Sequence, residues 1–213
     1  LNQTLIQTKD ELVVQKYQSK QNGRKIIGKC PGFVRRVGML NEITCKPNNK
    51  TIAKEVLISN LAKAYNQPTK NISLTPSGMN AVYCALRGLK TIQNKNGKNK
   101  LIQLGWLYLD TMNIVEHYFE ENKIFYDINN LDLLEDYLKI YGHTISAIVT
   151  EIPTNPLLQT VDLARLKNLC LKYNIVLVID ATFATPFNLD LKPYADIYVE
   201  SLTKFACGNA DVL

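Results

Sequence analysis

Five stretches of this chain place reactive side chains where a helix or a strand has to begin or end. Thr75-Pro76-Ser77-Gly78-Met79 contains a small Ser-Gly turn. At a helix N-terminus such a turn presents unpaired backbone N–H groups and the positive end of the helix dipole, which suits a phosphate. It is equally an ordinary helix cap. Tyr108 is an aromatic that could stack on a planar ring or simply pack. Glu151-Ile152-Pro153-Thr154-Asn155-Pro156 holds Asn155 between two prolines, where its amide could donate to a ligand oxygen. Asp180 follows the most apolar run of the chain, and a carboxylate there is costly unless it meets a cation or a donor. Ser201-Leu202-Thr203-Lys204 sets two hydroxyls and an amine within four residues. A lysine in a partly desolvated pocket has a lowered pKa and can form a Schiff base with an aldehyde.

The elements that must position these groups are legible in the hydrophobic pattern. Ile52, Val56, Leu57, Leu61 and Ala64 recur at helical spacing, and Asn66-Gln67-Pro68 ends that helix. Short β-prone runs then alternate with helical ones. The pattern predicts strands at 71–74, 101–104, 123–126, 145–150, 175–179 and 195–199, and helices at 78–89, 110–119, 131–140 and 162–173. Asp162 is an acidic start for the last helix, and the polar run at 94–100 (NKNGKNK) reads as a solvent-exposed turn. Such alternation predicts an α/β domain with a mostly parallel (mixed) sheet sandwiched by helices. In an open sheet of this kind ligands bind beyond the carboxyl ends of the strands, which is where the five stretches fall.

Taken one at a time, each stretch has an ordinary structural explanation. Together they describe one ligand. A phosphate cradle, a stacking aromatic, a partner for a phenolic oxygen, a carboxylate for a pyridinium nitrogen and an imine-forming lysine are the groups that pyridoxal phosphate needs.

Residues 75–79 (TPSGM), 108–111 (YLDT), 151–156 (EIPTNP), 180–186 (DATFATP) and 201–204 (SLTK), in this order and spacing, resemble the Cys/Met-metabolism family of pyridoxal-phosphate enzymes. That family contains cystathionine γ-synthase and the β- and γ-lyases. The resemblance covers about residues 52–213 and is most specific from Glu151 onward. It implies the large cofactor domain of the fold-type I pyridoxal-phosphate transferases over 52–213, preceded by an N-terminal arm over 1–51, with the C-terminal small domain absent. Lys204 would carry the Schiff base and move the proton from Cα, with Tyr108 beside it in the chemistry. Asp180 would hold the pyridinium proton, Tyr108 would stack on the ring and Asn155 would bond its phenolic oxygen. Ser77, Gly78, Met79, Ser201 and Thr203 would hold the phosphate.

The implied activity is γ-replacement on an O-activated homoserine. The alternatives are β- or γ-elimination of cystathionine or a related substrate, and a truncated, non-catalytic interaction paralogue. Small-molecule amino-acid substrates and a homodimer or homotetramer are implied as well. The chain also departs from the family pattern. Leu109 and Asp110 stand where two glycines usually follow the tyrosine, Asn209 stands where a histidine usually follows Gly208, and the Tyr-x-Arg that reaches a neighbouring subunit is not identifiable, although Arg35 or Arg36 could serve.

Composition narrows the classes further. The 213 residues carry 25 Lys and Arg against 19 Asp and Glu, a net +6 that could suggest a nucleic-acid partner. Residues 1–60 hold eleven of the basic and four of the acidic residues, so the excess belongs to the N-terminal segment, without a like-charge run or interleaved aromatics. A solvated arm is the expectation, with no nucleic-acid partner. No stretch approaches eighteen apolar residues, so no membrane span is expected. Five cysteines without C-x-x-C spacing and two histidines assemble no metal site. Reduced thiols in a cytoplasmic protein are expected, with Cys84 and Cys170 as small core residues.

Overall fold

The strand and helix runs fold as three layers, helix on sheet on helix, in a computed structural model that describes residues 50–119 and 121–206. The predicted arm, with Arg35 and Arg36, falls almost wholly outside the described residues, as do Gly208 and Asn209. The first helix, α1 (Lys50–Ala64), stops where Asn66 takes a left-handed φ of 48° ahead of Pro68. The others follow in chain order: α2 (Gly78–Gln93), α3 (Leu109–Tyr118), α4 (Leu131–Tyr141), α5 (Leu163–Tyr173) and the one-turn α6 (Thr185–Asn188). Side chains cap three of them. Ser77 accepts from the backbone N–H of Asn80, Asn130 from Leu133 and Asp162 from Arg165, each filling one of the four orphan donors of a helix start.

Five strands, β1 (Lys100–Leu104), β2 (Asn122–Phe125), β3 (Ile145–Glu151), β4 (Val176–Asp180) and β5 (Ile197–Val199), form one sheet in the order β2-β1-β3-β4-β5. Every pairing is parallel. No antiparallel strand occurs among the described residues. All five strands therefore end on the same edge of the sheet.

The strands are buried on both faces, which explains their near-continuous apolar character. On one face Ile102, Leu104, Ile148, Leu177 and Ile179 pack with Leu134 and Leu138 of α4 and Leu166, Leu169 and Cys170 of α5. On the other, Leu101, Ala147, Val149 and Val178 pack with Val82, Leu86 and Leu89 of α2 and Val115 of α3. Each fully buried Leu or Ile of this set stabilises the fold by about 1.5–3 kcal/mol.

Three expectations are corrected. The strand predicted at 71–74 does not form: a 3-10 turn, Thr69–Asn71, takes its first residue, and only Ile72 to Leu74 remain before Pro76, a proline without a ladder donor. Cys84 is exposed, while Cys170 is buried and its thiol is pushed up to about 12 by desolvation. The turn at 94–100 is not wholly solvated. Gly97 supplies its left-handed φ of 73°, but Lys98 turns inward and is only 8% exposed. Its ammonium donates to the carbonyls of Gly142, Ile145, Tyr173 and Asn174 at 3.0–3.3 Å. Those carbonyls cluster where α4 and α5 end, so the cation meets the negative ends of two helix dipoles. Burial lowers its pKa.

Among the described residues no helix is long and apolar enough to cross a membrane, and no cluster of His, Cys, Asp and Glu could hold a metal ion.

Candidate functional site

The carboxyl edge of the sheet collects the groups singled out above. Asp180 is the last residue of β4, and Glu151, its register partner, is the last of β3. Partners on neighbouring parallel strands present their side chains to the same face. Two carboxylates therefore stand side by side at the top of the sheet. Burial pushes the Asp180 carboxyl upward, against hydrogen bonds from Thr182 and the charge of Lys204, which favour its ionised form. Glu151 is more fully buried, 6% exposed, and desolvation, helped by the neighbouring Asp180, lifts it to about 7.

A chain of short contacts joins β4 to the segment carrying Lys204. The backbone N–H of Thr182 donates to Asp180 at 2.9 Å, and the Thr182 hydroxyl accepts from the backbone N–H of Ser201 at 2.9 Å. The N–H of Ala181 donates to the carbonyl of Val199. From β5 the backbone turns so that the Lys204 N–H reaches the Ser201 carbonyl and its amine lies 3.4 Å from the Ser201 hydroxyl. The Lys204 side chain itself is exposed.

The N-terminus of α2 comes to the same place. Gly78 lies so close to Ser201 that a Cβ there would sit 2.8 Å from the serine's Cβ. Ser77 spends its hydroxyl on Asn80, accepting from its N–H and donating to its side-chain oxygen at 3.0 Å. Met79 is half-buried in the first turn. Ser77, Gly78 and Thr203 line a cleft of about 710 Å³, together with Thr75, Tyr65 and Glu200. Asp180, Lys204 and Tyr108 lie outside its lining, so the cleft runs along the start of α2 and the outer side of β5.

Tyr108 is the N-cap residue of α3, reached from β1 through Gly105 at a φ of 83°. Its ring is about half exposed. Its backbone N–H donates to the Glu151 carboxylate, which also accepts from the backbone of Asn155. Asn155 lies in the exposed loop after β3, between cis Ile152-Pro153 and cis Asn155-Pro156 peptides. Ser77, Gly78, Ser201, Thr203, Lys204 and Asp180 are thus brought together directly, and Tyr108 and Asn155 join through Glu151.

Glu151, Thr182 and Glu200 are absent from the site predicted by sequence. Glu200 accepts the Tyr65 hydroxyl on one oxygen, while the other is buried without a partner among the described residues. Glu151 could have been found by the argument that found Asp180, since it too closes an apolar strand. Thr182 and the Tyr65 pairing carry no sequence signal, because their partners lie 19 and 135 residues away.

Residues 47–213 match the sequence model of the family described as Cys/Met metabolism PLP-dependent enzyme. The chain belongs to that family. Among curated relatives, it is 37% identical over 162 residues to the L-2-amino-4-chloropent-4-enoate dechlorinase/desaturase of Streptantibioticus cattleyicolor, covering 75% of this chain and 32% of the relative. It is 34% identical over 168 residues to the cystathionine γ-synthase of Neurospora crassa, covering 76% and 27%. This family member therefore spans about a third or less of the length of these relatives. Among solved structures, the protein assigned as an O-acetylhomoserine (thiol)-lyase of Campylobacter jejuni, which carries a pyridoxyl-lysine monophosphate, superposes with a TM-score of 0.59 at 28% identity, over 73% of this chain and 37% of that one. The metB protein of Corynebacterium glutamicum gives 0.54 at 27% identity, over 65% and 35%.

Proposed function

We propose that this chain is the cofactor-binding part of a pyridoxal-phosphate-dependent enzyme acting on small sulfur amino acids, and that the whole protein carries out γ-replacement on an O-activated homoserine. The carrying observation is the buried Asp180 carboxylate at the end of β4, linked through Thr182 and Ser201 to Lys204.

The residues present fit the cofactor. The approach of Gly78 to Ser201 leaves no room for a Cβ and sets the N-terminus of α2 against Ser201, a place that suits a phosphate. A carboxylate raised by burial gains from a cation above it, which a protonated ring nitrogen supplies. When bound, the cofactor supplies an electron sink that lowers the barrier to removing the Cα proton.

The chain's own residues do the rest. Asp180 would hold the ring-nitrogen proton, and the Thr182 N–H orients that carboxylate. Lys204, its amine 3.4 Å from the Ser201 hydroxyl, would hold the cofactor covalently and would move protons at Cα. Tyr108 would cover the cofactor ring, and Asn155 would bond its phenolic oxygen. Met79 follows Ser77 and Gly78 into the phosphate turn, and Ser201 and Thr203 close it from the β5 side. The same reading takes the assembly to be a homodimer or homotetramer in the cytoplasm.

The test is direct. Purified protein with added pyridoxal phosphate develops a visible band that borohydride bleaches, and Lys204→Ala abolishes it. A protein that stays colourless and takes up no cofactor overturns the proposal. In the full-length protein, thioether formation from an O-acylhomoserine and cysteine supports replacement. Release of a 2-oxo acid and ammonia without thioether assigns elimination instead.

A further inference from the structure

Glu151 is a buried carboxylate at the sheet edge for which the chemistry above has no use. It is placed among three residues that the proposed cofactor contacts need. Its oxygens accept the backbone N–H of Tyr108, at the head of α3, and that of Asn155, in its own loop. Its register partner across β3 and β4 is Asp180. A backbone hydrogen bond pulls the N–H of Ile152 onto the Asp180 carbonyl at 3.0 Å, so the end of β3 is tied to β4 as well.

We infer that Glu151 is a positioning residue of the cofactor site: its carboxyl group fixes Tyr108 and Asn155 relative to each other, and its charge sets the electrostatic environment of Asp180. The inference rests on the proposed cofactor function. The acceptor role needs only an oxygen. The charge role needs ionisation, and Glu151 titrates near neutrality, at about 7, because it is desolvated next to a second carboxylate. The titratable group facing Glu151 is Asp180 on β4. Beyond Asp180 lie Lys204 after β5, whose charge favours the Asp180 anion, and Glu200, which Asp180 holds up. From α3 Glu151 receives a backbone N–H and no charge. A cation placed on Asp180 favours the Glu151 anion. Binding of a protonated ring therefore draws a proton off Glu151 in the range around neutrality.

Two substitutions separate the roles. Glu151→Gln keeps an oxygen for the Tyr108 N–H and removes the charge. Glu151→Ala removes both. The chain is titrated with pyridoxal phosphate from about pH 6 to 8.5, following the visible band and the dissociation constant, with thermal unfolding to confirm a folded protein. Glu151→Gln is expected to bind within about threefold of wild type at pH 6, where Glu151 is mostly protonated, and to lose the step near pH 7 in the pH profile of the wild-type band. Glu151→Ala is expected to bind roughly tenfold more weakly or worse, because two ring contacts lose their common anchor. If Glu151→Ala does not fold, the Glu151→Gln profile alone decides. A Glu151→Gln profile identical to wild type, or a folded Glu151→Ala with wild-type affinity, overturns this inference and leaves the cofactor function standing. A wild-type chain that binds no pyridoxal phosphate at any pH overturns both.

Discussion

Gly78 and Ser201, 123 positions apart in sequence, approach so closely that the glycine's missing Cβ would lie 2.8 Å from the serine's Cβ and 3.2 Å from its Cα. The neighbour is backbone and near-backbone, which cannot swing aside as the tip of a long side chain would. The turn of α2 and the lysine segment are in contact because residue 78 carries no side chain.

Gly78→Ala should therefore open the cradle rather than unfold the domain. Alanine gains about 1 kcal/mol in helix propensity, which offsets part of the overpacking cost of about 1–3 kcal/mol. The expected outcome is a dissociation constant for pyridoxal phosphate raised roughly tenfold with little change in melting temperature. Gly88→Ala is the control: it lies in the same helix, a Cβ there meets nothing within 4 Å, and affinity should not change.

Stability of the cofactor-free chain should fall as pH rises through neutrality. Glu151, Asp180 and Glu200 are all held above their ordinary values, chiefly by burial. Each binds its proton more tightly in the folded chain than in the unfolded one, where carboxyls titrate near 4. Their contribution is complete below that value and is lost as pH climbs through the folded values, about 7 for Glu151. Exposed ion pairs such as Glu135 with Lys172 have the opposite sign, but their loss lies on the acid side of this window. Calorimetry from about pH 5 to 8 should record a falling melting temperature, with a shallower slope in Glu151→Gln. A flat or rising curve would contradict the burial of these carboxyls.

Lys98→Met tests the inward lysine. Methionine fills similar volume but leaves the carbonyls of Gly142, Ile145, Tyr173 and Asn174 without their shared donor. A loss of about 2 kcal/mol is expected, or roughly 4–8 °C in melting temperature. Substitution of Lys95, exposed in the same turn, should cost almost nothing.

β3 and β4 are legible in the sequence because strands buried on both faces need apolar side chains at every position, and Asp180 stands out as the charge that ends such a run. Asp162 is legible because a helix start needs an acceptor near its free N–H groups. Cys84 is misplaced by phase: the buried stripe of α2 runs through Val82, Leu86, Leu89 and Gln93, and position 84 points away from it. Lys98 is illegible for a different reason. Its acceptors are carbonyls 44 to 76 residues further on, and backbone carbonyls leave no mark in composition. The coupling of Tyr108 to Glu151 spans 43 residues through a backbone N–H and is hidden in the same way.

Among the described residues β5 is the shortest of the five strands, three half-buried residues with a single neighbour in the sheet, and Lys204 follows five positions after it ends. The amine most central to the proposed chemistry thus hangs from the part of the sheet that costs least to open. Amide hydrogens of Ile197, Tyr198 and Val199 should exchange with solvent well before those of β3. Whatever packs along the outer edge of β5, as Tyr65 already packs on Tyr198, adds its binding energy to the rigidity of Lys204.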